Sequence, residues 1–202
     1  MDEEIKKPAG EPREDAILIR AFREGDRAAF DNLVLKHKDR VFNLCYRLLG
    51  DYEEANDSAQ EAFIKVYGSL KKFRFESAFS TWLYRITVNT CKNKLKSSAF
   101  RQKKKMIPID NPVSGKRTQP DREIQDESQS PAMELEKKER MRIIQEAINA
   151  LPAEQKEVVT LRDIEGFSYE EVAEITGFNL GTVKSRLARA RQDLRKKLRS
   201  VR

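Results

Sequence analysis

The side chains in this chain best placed to do chemistry are cations in register on one helical face. Their chemistry is hydrogen bonding to a polyanion, with no covalent step. Residues 177–202 hold nine Lys or Arg (Lys184, Arg186, Arg189, Arg191, Arg195, Lys196, Lys197, Arg199 and Arg202) against one acid, Asp193, a net +8. The 202-residue chain as a whole carries +7, so the other 176 residues sum to about −1. A basic tail alone is commonly a solvated face. Here it coincides with an ordered pattern. Val183, Leu187, Ala190, Leu194 and Leu198 recur at helical spacing, and at about 100° per residue Lys184, Ser185, Ala188, Arg189 and Gln192 fall opposite them. A helix in the major groove presents its N-terminal part to base edges. Arg189 can take a guanine bidentately, which discriminates by about 1–3 kcal/mol, while Ser185 can donate or accept and Ala188 can meet a thymine methyl. Lys184, Arg186, Arg191, Arg195 and Lys196 suit phosphates, which position a helix without reading sequence.

The elements that must hold this face are legible just upstream. Ser168 and Glu171 form a capping box for a short helix whose Val172 and Ile175 face inward. Ala173 is small enough for a second helix to approach, Gly177 supplies a left-handed stop, and Asn179 caps the next helix with Thr182 in its first turn. The rival reading is a helical hairpin with a charged outer face. Two caps, a glycine turn, opposed faces and the +8 charge together favour a DNA-docking helix-turn-helix over Ser168–Arg202.

Other chemistries are poorly provisioned. Two cysteines, Cys45 and Cys91, and one histidine, His37, are too few for a closed zinc site of about four ligands. Both cysteines sit in apolar helical contexts and read as buried thiols, and His37 as a helix-surface or core-edge residue. With no P-loop and no nucleophile–base pair, neither an enzyme nor a cofactor is expected. No apolar run nears the roughly 20 residues of a membrane span. Met1-Asp2-Glu3-Glu4 is acidic where a secretory leader would be basic, so residence in the cytoplasm is expected.

Upstream of the helix-turn-helix the chain divides in two. A first block, residues 14–97 after a disordered 1–13, reads as all-α: a short helix over Asp15–Arg23, then Phe30, Leu33, Val34, Val41, Leu44, Cys45 and Leu48 at helical spacing up to Gly50. Asp51 and Glu54 make an N-cap pair for a helix through Ala55, Ala59, Ala62, Phe63, Val66, Tyr67 and Leu70. After a turn around residues 74–80, Trp82, Leu83, Ile86 and Leu95 mark another long helix. Residues 98–133 carry four of the seven prolines and few large apolar side chains, the composition of a flexible linker. Helical spacing resumes with Leu135, Met141, Ile144, Ala147, Ile148 and Leu151. Pro152 then suits the first turn of a helix running to about Glu165 in a second block, residues 134–202.

Aromatic residues cluster in the first block: Phe73, Phe75, Phe79, Trp82 and Tyr84, followed by Arg85, Lys92, Lys94 and Lys96. Aromatic faces beside cations hold unstacked bases, with stacking worth about 1–3 kcal/mol per base. The same aromatics serve equally as core. Phe79 and Leu83 read as core, Trp82 fits either role, and Asn89 and Lys92 suit a base edge and a phosphate.

Two independent stretches resemble one family. Leu151-Pro152 through Leu161-Arg162, then Gly166-Phe167-Ser168-Tyr169-Glu170-Glu171-Val172-Ala173 and Gly181 through Arg191, resemble region four of bacterial RNA polymerase sigma factors of the extracytoplasmic-function class. Asp57-Ser58-Ala59-Gln60-Glu61-Ala62-Phe63 resembles the region-two surface for the beta-prime clamp helices. Phe73 to Asn93, with Ser80-Thr81-Trp82-Leu83-Tyr84-Arg85-Ile86, resembles the part that opens and reads the minus-ten element. Asn56 stands where the family often has an acid, and Phe75 where glycine is frequent.

The resemblance implies an all-α fold of two small helical domains joined by a linker, and a non-enzymatic factor that directs promoter-specific initiation. It implies minus-35 contacts from Thr182, Lys184, Ser185, Arg186, Ala188 and Arg189. Minus-ten contacts would come from Phe75, Trp82, Arg85, Asn89, Lys92 and Asn93, and polymerase contacts from Asp57, Gln60, Glu61 and Phe63. Implied partners are core RNA polymerase, through the beta-prime clamp helices and the beta flap, promoter DNA, and a controlling anti-sigma factor. A linker of this length relaxes to roughly 35 Å and stretches to about 120 Å. Two elements some 17 to 20 base pairs apart are roughly 60–70 Å apart at 3.4 Å per step, so both blocks can dock together. The competing function is a stand-alone transcriptional regulator whose first block senses a signal.

Overall fold

The computed structural model describes residues 11–97 and 131–199, with side chains over 13–97 and 139–199. The linker expected at 98–133 falls outside them, apart from its last three residues. Among the described residues there are helices and no strands, as the periodicities predict.

The first block is four helices: α1 (Glu11–Arg23), α2 (Arg27–Leu49), α3 (Tyr52–Ser69) and α4 (Phe79–Lys96), with one 3-10 turn at Leu70–Lys72 after α3. Short-range chemistry sets their ends. Asp26 accepts from the Ala28 amide at 2.9 Å to start α2, and Asp51 accepts from the Glu54 amide at 3.0 Å to start α3. Gly50, at φ 75°, closes α2 in the left-handed region. Ala55, Ala59 and Ala62 make a small-residue stripe along α3 that lets α2 approach closely, burying Leu33, Val41, Leu44 and Leu48. The two cysteines meet in this core. A hydrogen bond between the thiols, reinforced by burial, pushes the Cys45 thiol far up, which leaves it inert.

His37 departs from expectation. It is buried, not at the edge: its Nε2 lies 3.1 Å from Asp15 Oδ2 and its ring packs edge-on against Phe79. Lys36 approaches the other Asp15 oxygen at 2.9 Å. Burial alone would raise the Asp15 carboxyl; the hydrogen bonds from His37 and Lys36 outweigh it and hold the group below its ordinary value. A buried acid on α1 therefore needs a partner from α2, and His37 is that partner.

The second block comprises α5 (Pro131–Asn149), α6 (Ala153–Val159), one π turn at Thr160–Ile164, α7 (Tyr169–Thr176) and α8 (Leu180–Arg199). Pro152 caps α6 from just outside it. The capping box of α7 is complete: the Glu171 amide donates to Ser168 Oγ at 3.1 Å, and Glu171 Oε2 accepts from the Ser168 amide at 2.8 Å. Gly177, at φ 77°, ends α7 as expected. Val183, Leu187 and Ala190 bury their side of α8, while Leu194 is half-buried and Leu198 is partly exposed.

Sequence periodicity suggests two separate cores, but the blocks share one continuous apolar cluster. The α4 helix packs along α7. The Tyr84 ring meets Phe167 at 4.7 Å between centroids, and its hydroxyl donates to Glu165 Oε2 at 2.7 Å.

Candidate nucleic-acid interface

On α8 the outward face is the one the spacing predicts. Lys184, Ser185, Ala188 and Arg189 are exposed, and Thr182 and Arg186 are half-buried. The Thr182 amide donates to Asn179 Oδ1 at 2.8 Å, the helix cap that aims this face. Ser185 Oγ donates to the Thr182 carbonyl at 3.0 Å, leaving its lone pairs to accept from a ligand. Lys184 hangs 5.8 Å over the Tyr169 ring. Arg189 makes no hydrogen bond or ion pair with any described residue, so its fork is presented to solvent unencumbered.

Two arginines expected at phosphates also brace the fold. Arg191 forms a bidentate pair with Asp163 at 2.9 and 2.6 Å, which raises its already high pKa further. Arg186 lies 2.6 Å from Glu154 and 4.0 Å over the Phe178 ring. Both tie α8 to its own block, a role that spacing on one helix cannot reveal.

The second candidate surface surrounds the start of α4. Phe73, Phe79 and Tyr84 are buried, Trp82 is half-buried against Phe73 and Phe79, and Phe75 is exposed. Phe75 is the one non-glycine among the described residues with positive φ, at 58°. A left-handed backbone at this position is the physical reason a glycine suits it, and an L-residue there costs about 1–2 kcal/mol. Its ring is held by Phe73 at 4.9 Å, Arg23 at 5.0 Å and Arg20 at 5.9 Å, and Arg23 donates to the Phe73 carbonyl. The α1 arginines are therefore part of this corner, a contribution the aromatic pattern did not signal. Asn89 and Asn93 are exposed one turn apart. Arg85 and Lys92 turn toward the second block, where Lys92 lies 2.7 Å from the buried Glu157.

A third surface runs along α3. Asp57, Gln60 and Glu61 are exposed on one side, with Glu61 paired to Lys65 at 2.6 Å. Phe63 leans into the core and is only partly accessible. Ile64, 72% exposed, extends the same stripe. Its position seven residues after Asp57 and three after Glu61 is the helical signal that identifies it.

Among the described residues no cluster of three or more His, Cys, Asp or Glu could hold a metal, and no helix is long and apolar enough to cross a membrane. The first two surfaces offer hydrogen-bond donors, cations and rings, and the α3 surface offers carboxylates beside an apolar side chain.

Comparison with known proteins gives a consistent answer. Residues 33–101 match the family model for sigma-70 region 2, and residues 141–194 match that for sigma-70 region 4. The chain is 39% identical over 191 residues to the RNA polymerase sigma-H factor of Pseudomonas aeruginosa, covering 93% of this chain and 95% of that one. It is 37% identical over 187 residues to the ECF RNA polymerase sigma-E factor of Haemophilus influenzae, covering 93% and 96%. Among solved structures, the sigma factor RpoE from Bartonella quintana, crystallised with the anti-sigma factor NepR, superposes with a TM-score of 0.62 at 25% identity. That match covers 86% of this chain and 98% of that one.

Proposed function

The chain belongs to the sigma-70 family, in its extracytoplasmic-function class, and on that premise we propose a division of labour among its three surfaces. As a sigma factor it binds core RNA polymerase and directs initiation at promoters. In this reading α8 reads the minus-35 element through Lys184, Ser185, Ala188 and Arg189, with Thr182 and Arg186 at the margin of the contact. The corner built from Phe75, Trp82, Arg85, Asn89, Lys92 and Asn93 takes the minus-ten strand as it unpairs. The α3 stripe of Asp57, Gln60, Glu61 and Ile64 docks on the polymerase clamp, with Phe63 shaping it from beneath.

The observation that carries the minus-35 assignment is the solvent-facing, unpaired Arg189 on a capped helix whose opposite side is buried. No chemical step belongs to the protein itself. It positions bases and a polymerase, which acts in the cytoplasm. A sigma factor closely similar in fold is known bound to an anti-sigma factor, which supports a protein inhibitor as a further partner here.

The test is transcription in vitro with core polymerase on a promoter library. Addition of this chain should produce specific start sites, while the chain alone should bind the same duplexes weakly. Tight operator-like binding by the free chain, with no stimulation of core polymerase, would overturn the reading.

A further inference from the structure

Phe75 holds an unfavourable backbone conformation while its ring stays partly in solvent. Its φ of 58° is the one positive value at a non-glycine among the described residues, and the residue is 39% exposed. A strained position of this kind persists only where its surroundings hold it. Here the hold comes from outside the loop. Arg23 donates to the carbonyl of Phe73, and its guanidinium stands 5.0 Å from the Phe75 ring centroid, with that of Arg20 at 5.9 Å. Phe73, itself buried, backs the same ring at 4.9 Å.

Arg20 and Arg23 are exposed on α1 and, three residues apart, share one helical face. The other side of α1 is fixed in place: Ile19 and Phe22 are buried, and Asp15 meets His37 and Lys36 of α2. The helix that carries the arginines is thus pinned to α2, and Arg23 in turn pins a loop fifty residues further along the chain. A ring held by guanidinium groups and a second ring, and open elsewhere, is a stacking platform. Every base that leaves a duplex presents a π face to such a platform, whichever base it is. Glycine adopts this backbone conformation without strain but brings no ring to stack on.

We propose that Arg20 and Arg23 are positioning residues that hold Phe75 as a stacking platform for one unpaired base of the minus-ten strand. The base is recognised by its face and not by its edge, so the platform favours opening without choosing among the four bases. Arg20 and Arg23 act through the Phe75 ring and do not themselves touch the strand. The inference rests on the assignment of this corner to the minus-ten strand.

The test follows promoter opening by the full chain with core polymerase, on templates carrying the fluorescent base 2-aminopurine within the minus-ten element. The affinity of the closed complex and the rate of opening are measured separately. Phe75→Gly should slow opening by about 5- to 150-fold, the range for one lost base stack, with closed-complex affinity within about twofold of the parent. The loss should agree within about threefold whichever base stands at the unpaired position. Phe75→Tyr keeps a ring and should open at the parent rate, whereas Phe75→Leu keeps bulk alone and should open as slowly as Phe75→Gly. Arg20→Ala with Arg23→Ala should slow opening about tenfold in the parent, as the fraction of loops holding the ring in place falls. In the Phe75→Gly background the same pair should change nothing. The dependence of opening on salt should also stay unchanged, since each lost phosphate contact would lower its slope by about 0.7. Arg23→Ala alone serves if the arginine pair folds poorly, with an expected slowing of about threefold.

Equal slowing by the arginine pair in both backgrounds, or a lower salt slope, overturns the positioning role, because the arginines then touch the strand themselves. A loss confined to one base overturns the platform in favour of edge reading. Asn89→Ala, a change at an exposed α4 residue, separates the inference from the assignment beneath it. If Asn89→Ala slows opening and Phe75→Gly does not, the platform fails while the corner keeps its strand; if neither slows it, the assignment of the corner fails as well.

Discussion

Replacing Arg189 with Ala isolates a reading contact from a folding contact. Arg189 is exposed and makes no hydrogen bond or ion pair with described residues, so its removal should change folding free energy by less than about 0.5 kcal/mol. A bidentate arginine–guanine pair discriminates by about 1–3 kcal/mol. At 1.4 kcal/mol per tenfold, preference at one upstream position should fall by about 5- to 150-fold. The assay is transcription with core polymerase on templates randomised across the upstream element, scored by enrichment, beside a thermal melt of the free protein. Promoters with strong downstream elements should still melt. Arg191→Ala is the matched contrast, because its guanidinium is tied to Asp163. That pair is half-exposed, so its loss should cost about 0.5–1 kcal/mol of stability and leave base preference intact. If Arg189→Ala keeps full preference at every upstream position, the helix is oriented differently from the way described.

Three further outcomes are expected. Gly177→Ala meets no atom within 4 Å, so its cost is purely the left-handed backbone at φ 77°, about 1–2 kcal/mol, readable in a denaturant melt. Ile64→Ser removes an exposed side chain and should weaken binding to core polymerase in a pull-down titration while leaving the melt unchanged. Burial raises both Glu157, which faces Lys92, Glu154 and Arg186, and Glu165, which faces Tyr84, Arg40 and Arg47. An acid with a raised folded pKa binds its proton more readily in the packed state, so packing is favoured at low pH and weakens as pH climbs from 4.5 through the folded values. The melting temperature should therefore be higher near pH 5 than near pH 8, within the range where Asp15, shifted the opposite way, stays ionised. Substituting Gln at both Glu157 and Glu165 should flatten that dependence.

What the sequence determined alone is the set of features fixed within about four residues. The capping box at Ser168 and Glu171, the Asp51 cap, the left-handed stops at Gly50 and Gly177, and the opposed faces of α8 all follow from local hydrogen bonding and a 3.6-residue period. These suffice for an all-α chain, for its helix boundaries to within a few residues, and for the outward aim of Arg189. The linker expectation lies mostly outside the described residues.

The tertiary structure decided every pairing across distance. Periodicity shows that a helix has a polar side, but not whether solvent, a nucleic acid or another helix will meet it. Arg189 and Arg191 are the same residue type, both exposed, yet only Arg191 finds an aspartate, 28 residues back on the π turn. His37 looked peripheral because its partner, Asp15, lies 22 residues earlier on another helix. Lys92 gave the plainest divergence: by residue type and spacing it suits a phosphate, and in the folded chain it faces Glu157. A cation's partner is set by which carboxylate the docking of helices brings within reach, and that depends on how whole faces pack.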